Sequence, residues 1–430
     1  MTGFDKLKLN KQLIRSMGEM GYIVPKEVQQ KTLTRIIGGQ DIIAIAPEGS
    51  GKTTTYVLGT LNRFNYAPEG VPKVLILVPE KEDVLAVIEL FNRINKNSSI
   101  SIVGLYVTPG TEAQLDALAD GADIVVATPD RARAIYLKLA LNLNKMELFI
   151  VDDADRMIKK GMQLPIAELA NSIGKCQHLV FTDVMHGRLE KMITPFMNLP
   201  ATIEVEALQE SELAVHHQLL YNVPNFLTKL NLLNLFMYDE EVFTKSVVFV
   251  NNAATAEKVY QSLNRRMHDA VGYLDPSFFD VNGFKTIEDF KATADARVLL
   301  VVNEDEKVAD WSGIPFLIHF DLPTDKETYI NHITNTIGDN DILALTFSTD
   351  LELSEVKKIE QATGKKMEAA ALPDDLVVVN DAQPKAVKKP AKSAEPEVGA
   401  AFHEKKAANN KNYNFSSGQK AKMNMKKKHG

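Results

Sequence analysis

The sequence APEGSGKT at residues 46–53 lies between the apolar run DIIAIA at residues 41–46 and a helical pattern that begins with three threonines. Glycines at positions 49 and 51 allow the backbone to curve around an anion with its N–H groups, and the following helix adds the positive end of its dipole. A strand, a glycine-rich turn and a helix in this order are typical of a phosphate loop, although Ala46 occupies the first glycine position. The stretch therefore predicts an α/β fold that binds a phosphorylated ligand.

The loop also carries the side chains that a nucleotide requires. Lys52 is predicted to bridge the β and γ phosphates of ATP, and the Thr53 hydroxyl to ligate Mg²⁺. The alternative is a Gly-Ser turn that precedes a lysine by chance, and the flanking strand and helix argue against it. The other predicted ATP-binding residues of this segment are Gly49, Ser50, Gly51 and Thr54.

A second apolar run, LFIV at residues 148–151, ends in the acidic sequence DDAD. A nucleotide site of this type needs a carboxylate at a neighbouring strand end, and Asp152 is predicted to hold the magnesium while Asp153 faces the attacking water. Taken alone, such a cluster is equally well explained as a solvated turn or a helix cap. Together with the phosphate loop, it favours a Mg-ATP site.

Short apolar runs alternate with helical patterns over most of the chain, with six strand candidates before a polar stretch and five after it. This alternation is typical of parallel sheets covered by helices on both faces. We therefore predict an α/β protein with two tandem domains, residues 1–205 and 217–372, joined by a linker at residues 206–216. Residues 373–430 are rich in Lys, Ala, Asn and Pro, and are predicted to form a disordered basic tail.

The charge is divided unevenly along the chain. Residues 384–430 hold twelve lysines and three glutamates, a net charge of +9, so the total of -7 leaves -16 on residues 1–383. The tail suits non-specific contact with nucleic-acid phosphates, while a role in solubility or as an interaction tether is the alternative. The acidic body disfavours a broad basic track for RNA.

Composition excludes several classes of protein. The single cysteine, Cys176, cannot form an intramolecular disulfide or a cysteine-rich zinc site. The amino terminus lacks the apolar segment of a signal peptide, and no window approaches the roughly 18 uninterrupted apolar residues of a membrane span. We expect a soluble cytoplasmic protein without membrane contact.

Upstream of the phosphate loop, Phe4 and Gln29 are separated by 25 residues, the second within GYIVPKEVQ at residues 21–29. A glutamine amide can both donate and accept, so it suits the N6 and N7 edge of adenine. With this spacing, the phosphate loop and DDAD, the chain resembles the DEAD-box ATP-dependent RNA helicases from Phe4 to about Leu372. The resemblance implies two RecA-like domains, with Gln29 pairing to adenine and Phe4 stacking on its ring.

The resemblance assigns further residues of the first half. TPDR at residues 128–131 is similar to the family segment that grips the RNA backbone, which implies phosphate contacts from Thr128 and Arg131. A helix amino-terminal turn with a loose arginine is the alternative. TDV at residues 182–184 falls where the family has SAT, which couples hydrolysis to unwinding, so Thr182 is the one coupling residue retained.

The second half loses most of the family's site residues. EKVAD at residues 306–310 stands in place of ARGxD and retains Asp310, implied to contact the ribose, whereas NHITNTIG at residues 331–338 replaces the arginine-rich motif VI. No arginine follows Arg297. An arginine finger contributes about 10³ to 10⁵ in rate, so we expect slow hydrolysis or none. Lys307 or Lys326 could restore part of the charge, although an ammonium lacks the planar fork of a guanidinium.

Three functions follow from these patterns. The preferred one is an ATP-dependent RNA helicase that binds ATP and Mg²⁺ in its first domain and RNA across both, with weak RNA-stimulated hydrolysis. The second is a hydrolysis-deficient relative that acts as an ATP-binding RNA clamp or ribosome-assembly scaffold. The third is a phosphate-loop enzyme of another class, such as a small-molecule kinase. The expected partners are RNA, bound without sequence preference, and ribosomal particles.

Overall fold

The computed structural model describes residues 3–63, 70–108, 112–206, 213–275, 283–303, 310–334 and 342–379. Within these ranges the chain forms two parallel β-sheets, one in each half, and helices flank both of them. This confirms the predicted fold class of two tandem α/β domains. Nothing in the structure tests the predicted boundaries at residues 205 and 217, which remain predictions.

The first half begins with a 3-10 helix at Gly3–Leu7. Its seven strands are β1 (Ile42–Ile45), β2 (Val74–Leu77), β3 (Ile102–Leu105), β4 (Ile124–Ala127), β5 (Leu148–Val151), β6 (Gln177–Thr182) and β7 (Ala201–Glu204). Its helices are α1 (Lys11–Glu19), α2 (Glu27–Ile37), α3 (Lys52–Arg63), α4 (Lys81–Ile94), α5 (Glu112–Ala119), α6 (Pro129–Leu137), α7 (Ala154–Lys159), α8 (Gln163–Ser172) and α9 (Gly187–Ile193).

The second half repeats the architecture. Its described strands are β8 (His217–Asn222), β9 (Ser246–Val250), β10 (Val271–Leu274), β11 (Gly283–Phe284), β12 (Val298–Val302), β13 (Phe316–His319), β14 (Leu343–Ser348) and β15 (Glu368–Ala369). Its described helices are α10 (Phe226–Tyr238), α11 (Ala253–Met267), α12 (Ile287–Ala292), α13 (Lys326–Ile333) and α14 (Leu353–Thr363), with a 3-10 helix at His268–Ala270.

The strand order is β3-β4-β2-β5-β6-β1-β7 in the first sheet and β11-β10-β12-β9-β13-β14-β8-β15 in the second. Central strands such as β1 and β2 are apolar at every position because both of their faces are covered. Ile42 and Ala44 pack into the core on one face of the first sheet, whereas Ile43 and Ile45 pack into the core on the other. Successive side chains of a strand point to opposite faces of the sheet, so each strand contributes residues to two separate cores.

The carboxyl end of the described chain packs against the second half. Leu376 is buried in its core, the Val379 N–H donates to the Thr228 hydroxyl at 3.1 Å, and the Asn231 amide donates to the Val377 carbonyl at 2.8 Å. Packed chain thus continues to Val379, and residues 380–430 of the predicted tail lie outside the described residues. In the parts of the chain that the structure describes, no helix is both long and apolar enough to cross a bilayer.

Candidate functional site

Three segments meet at one edge of the first sheet. Strands β5, β6 and β1 are adjacent and parallel, so the turns that follow them leave the sheet at the same edge. These turns contain the phosphate loop, DDAD and TDV, and the Ala46 N–H donates to the Thr182 carbonyl at 2.9 Å. The carboxyl edge of a parallel sheet is where α/β proteins bind ligands. The motifs recognised separately in the sequence therefore form one site.

The phosphate loop depends on its two glycines. Gly49 and Gly51 have φ of +74° and +94°, in the left-handed region that side chains disfavour. A Cβ atom at Gly51 would lie 2.9 Å from Nε2 of Gln29, so glycine is also required for close approach. The Lys26 ammonium donates to the Gly49 carbonyl, and the Lys26 N–H donates to Gln29 Oε1 at 2.9 Å. Lys26 and Gln29 thus support the loop from α2.

The two residues implied to bind adenine occupy different surroundings. Gln29, 4% exposed, has its amide against the loop. Phe4 is 1% exposed and packs in the core of the first half with Leu7, Leu33 and Val28. The structure brings Gln29 to the phosphate loop and buries the Phe4 ring, so stacking of Phe4 on adenine remains a prediction that requires the ring to become accessible.

Lys52 has its ammonium enclosed by the turn that precedes it. It donates to the Ala46 carbonyl at 2.8 Å and the Pro47 carbonyl at 3.2 Å, and it forms an ion pair with the Asp183 carboxylate. Burial raises the pKa of Asp183 above its ordinary value, while Lys52 acts in the opposite direction. The Lys52 ammonium, which the phosphates of a nucleotide would require, is therefore paired with the Asp183 carboxylate of TDV.

Thr53 and Asp152 form the oxygen pair predicted for magnesium. The Thr53 hydroxyl donates to Asp152 Oδ2 at 3.3 Å, and Asp152 Oδ1 accepts the Asp153 N–H at 3.0 Å. Burial, and then the charge of Asp153, raise the pKa of Asp152 to about 7 against the opposing effect of Lys52. A buried carboxylate next to a hydroxyl provides the hard oxygen ligands that Mg²⁺ prefers, so these residues fit the ion.

Two polar side chains of the loop complete this region. The buried Ser50 hydroxyl has no hydrogen-bond partner among the described residues. Thr54 is half-buried in the first turn of α3. An unpaired buried hydroxyl is costly unless a ligand satisfies it. Ser50 therefore fits an anion held by the loop.

Asp153 adopts a left-handed backbone, with φ of +49°. Its carboxylate accepts a hydrogen bond from Arg156 at 2.8 Å, and Arg156 lies 3.6 Å from both Asp83 and Glu80. Asp153, which is predicted to face the attacking water, is thus hydrogen-bonded to Arg156 of the helix that follows it.

Thr182 connects two of the motifs. Its hydroxyl donates to Asp155 Oδ1 at 2.8 Å, and the Asp183 N–H donates to the same oxygen at 3.2 Å. Thr182 and Asp155 are both buried. Thr182, which is predicted to couple hydrolysis to unwinding, is therefore hydrogen-bonded to Asp155, the last residue of DDAD.

The predicted RNA contacts lie on a different strand of the same sheet. Thr128 follows β4, and Arg131 is in the first turn of α6. Arg131 Nε donates to Gln114 Oε1 at 3.2 Å, and the Gln114 amide donates to the Tyr106 carbonyl at 2.9 Å. Both Thr128 and Arg131 are partly exposed and are therefore accessible to a ligand.

In the second half, Asp310 is exposed and its carboxylate accepts the Ser312 N–H at 3.0 Å. Hydrogen bonding by Ser312 lowers the pKa of Asp310. Residues 306–309, including Lys307, and residues 335–338 lie outside the described residues. The ribose contact of Asp310 remains a prediction.

Sequence reasoning missed four charged residues at this site. They are Lys26, Glu48, Asp183 and Lys358. Asp183 had a visible signal, since a carboxylate occupies the middle position of TDV, where the family has alanine. The other three are recognised only from contacts made by the folded chain.

Residues 26–192 match the family model described as DEAD/DEAH box helicase. Over these residues the chain is similar to the DEAD-box helicases. It is 25% identical over 373 residues to the ATP-dependent RNA helicase DeaD of Mycobacterium tuberculosis, with 86% of this chain and 65% of that protein covered. It is 26% identical over 368 residues to the ATP-dependent RNA helicase eIF4A of Candida albicans, covering 85% and 91% of the two chains.

Among solved structures, the chain is similar to a DEAD box protein from the hyperthermophile Methanococcus jannaschii. The identity is 22%, the TM-score is 0.49, and 86% of this chain and 99% of the other are covered. The two parallel sheets flanked by helices agree with the α/β fold class predicted from the sequence. The chain spans only 65% of the length of the mycobacterial DeaD relative.

Proposed function

We propose that this chain is an ATP- and magnesium-dependent RNA helicase whose ATP hydrolysis is slow and stimulated by RNA. The proposal rests on the convergence of Lys52, Thr53 and Asp152 at one sheet edge, with Thr53 and Asp152 in hydrogen-bond contact at 3.3 Å. The relatives named above are ATP-dependent RNA helicases. Similarity to these relatives therefore favours this function over a non-hydrolysing clamp and over a metabolite kinase.

In this proposal the phosphate loop binds ATP with the N–H groups of residues 49–51, which its two left-handed glycines orient around an anion. Lys52 leaves Asp183 and binds the β and γ phosphates. Gln29, already against the loop, reads the adenine edge. Thr53 and Asp152 would hold magnesium, which would neutralise part of the phosphate charge.

RNA binding is proposed for both domains. Thr128 and Arg131 would contact backbone phosphates, and the lysines of residues 373–430 would raise the local concentration of RNA without sequence choice. Thr182, bonded to Asp155, is the link through which bound RNA affects the nucleotide site. Ribosomal particles, which present structured RNA, are proposed as one source of substrate.

Slow turnover has two physical causes. No arginine follows Arg297, so the arginine finger of motif VI, worth about 10³ to 10⁵ in rate, has no direct equivalent. Asp153 is shorter than the glutamate of DEAD by one methylene, and its carboxylate is held by Arg156 at 2.8 Å. A displacement of about 1 Å in a catalytic group can cost on the order of a hundredfold.

The test is ATP hydrolysis by the full chain with and without RNA, using a generic single strand, a short duplex and a ribosomal RNA fragment. ATP and ADP affinities are measured in parallel. Lys52→Ala is the control for contaminating ATPases, because it removes the phosphate-binding ammonium.

RNA-stimulated turnover that disappears in Lys52→Ala, together with duplex separation, is the expected result. Nucleotide and RNA binding without turnover would replace the helicase by an ATP-binding clamp. Phosphate transfer to a small molecule independent of RNA would instead indicate a kinase.

A further inference from the structure

The phosphate loop faces the second half of the chain across a cleft. A cavity of about 980 Å³ is lined by Glu48, Gly49 and Asp183 from the first half and by Lys326, Ser354 and Lys358 from the second. Helix α14 provides most of the wall opposite the loop. A ligand bound to the loop therefore lies within reach of side chains from α14.

Among the lysines that pair across this cleft, Lys358 is the one that reaches the phosphate loop itself. Lys358 Nζ lies 2.8 Å from Oε2 of Glu48, the residue between Pro47 and Gly49 in the loop. The two side chains are 48% and 78% exposed, and exposed ion pairs contribute little to stability. Lys358 can therefore exchange its partner at small cost, and it already lies beside the phosphate loop.

The charges around Lys358 keep it protonated. Burial acts to lower its pKa, but Glu48 and then Asp183 and Glu355 raise the pKa above its ordinary value. Asp183 is the residue that also holds Lys52. Lys358 and Lys52 thus approach the same loop from opposite sides of the cleft.

We propose that Lys358 is the second domain's contact to the terminal phosphate of ATP and the residue by which this chain distinguishes ATP from ADP. On ATP binding, its ammonium exchanges the Glu48 carboxylate for the γ phosphate, which carries more negative charge. The inference rests on the proposed function, since it requires ATP on the loop. It assigns to α14 the role that the missing arginines of motif VI leave open.

Neighbouring cations serve as comparisons. Lys357 is the next residue on α14, but successive residues on a helix point about 100° apart, and its ammonium lies 3.7 Å from Glu204. Lys159 of the first half pairs with Glu355, which joins α7 to α14 one turn before Lys358. Lys326, the first residue of α13, also lines the cavity and is the competing candidate for the contact to the γ phosphate.

The experiment compares ATP and ADP affinities of the full chain and six variants by titration calorimetry, in the presence of Mg²⁺. Lys358→Ala is expected to weaken ATP binding by about tenfold, the value of one charge-assisted hydrogen bond, while ADP affinity changes by less than about twofold. Lys358→Arg should restore the preference for ATP. Lys357→Ala is the matched control on the same helix, and Lys326→Ala tests the competitor.

Glu48→Gln separates phosphate binding from a structural role. If Lys358 only ties the two halves together, Glu48→Gln and Lys358→Ala break the same pair and have the same effect. If Lys358 binds the γ phosphate, Glu48→Gln frees it and strengthens ATP binding by about threefold, since a competing carboxylate is lost. Opposite effects of the two variants are expected.

An equal loss of ATP and ADP affinity in Lys358→Ala, or the same change in Lys358→Ala and Glu48→Gln, overturns the inference. Loss of the ATP preference in Lys326→Ala alone would transfer the role to that residue and also overturn it. Failure of the proposed function has a different signature, because then neither nucleotide binds the wild-type chain or Lys52→Ala binds as well as wild type.

Discussion

The Asp183 carboxylate is paired with the Lys52 ammonium, at the position where a nucleotide's phosphates would bind. Both side chains are largely buried, so the pair is shielded from solvent more than a surface pair would be. Asp183 would therefore compete with a bound phosphate for the Lys52 ammonium. The alanine of the family's SAT has no charge with which to do so.

We predict that Asp183→Asn strengthens binding of both ATP and ADP by about tenfold, because a neutral amide of the same shape removes the competing charge. Fluorescent-nucleotide titration measures the effect. Glu204→Gln is the matched control. It removes one negative charge from the same cleft, but wild-type Glu204 pairs with Lys357 and not with Lys52. Weaker binding in Asp183→Asn would show that this carboxylate supports the ligand instead of opposing it.

Position 51 requires glycine for two reasons, its backbone conformation and its close packing against Gln29. Its φ is +94°, and a Cβ atom there would meet the Gln29 amide at 2.9 Å. We predict that Gly51→Ala lowers ATP affinity by at least about tenfold and also lowers the melting temperature, because a left-handed alanine costs roughly 1–2 kcal/mol before the clash is counted.

Gly161→Ala provides the control for Gly51→Ala. Gly161 has φ of +75°, but a Cβ atom there meets nothing within 4 Å. This variant should lose stability from backbone strain alone and retain ATP affinity. Equal ATP affinities in the two variants would mean that the contact between Gly51 and Gln29 does not shape the phosphate loop.

Most of the fold could be predicted from apolar runs. The eleven strands expected from the sequence correspond to β1–β6, β8, β9 and β12–β14. The strands that were missed are β7, β10, β11 and β15. β11 and β15 have two residues each, and β7 is an edge strand with one buried side chain, so none of these three presents a long apolar run. β10 has four residues, one of them glycine, which weakens the strand pattern.

The site was only partly predictable because its motifs are local but its charges are paired by tertiary structure. Residues 46–53 contain their own turn, helix start and ligands, so their role follows from a short sequence. The pair between Glu48 and Lys358 joins residues 310 positions apart, and no local pattern encodes it. The burial of Phe4 likewise depends on tertiary structure, since the 3-10 helix that carries it packs against α2 in the folded chain.

The second half contains a stack of rings with two histidines. Phe249 is stacked on His332 with centroids 3.9 Å apart and on His319 at 4.8 Å, and His319 Nε2 lies 3.3 Å from His332 Nδ1. Burial lowers the pKa of His332 to about 4 and holds the pKa of His319 well below its ordinary value. Both rings are therefore neutral in the folded protein near neutral pH.

This arrangement predicts an acid-sensitive second half. Above pH 6.5, both histidines are neutral whether the chain is folded or unfolded, and they add no pH dependence. Below that value the unfolded chain takes up protons that the folded chain excludes, so stability falls as pH falls. For His332 alone, a shift from 6.5 to about 4 lowers the free energy of unfolding by about 2 kcal/mol between pH 7.5 and pH 5.

Urea unfolding of the full chain at these two pH values measures the loss. His332→Phe keeps an aromatic ring on Phe249 but cannot take up a proton, so its loss of stability on acidification should be smaller than that of wild type by about 2 kcal/mol. His268→Asn, which replaces an exposed histidine outside the ring stack, should behave as wild type. Identical pH dependence in His332→Phe and wild type would mean that His332 titrates normally in the folded state, and that the stack with Phe249 does not exclude its proton.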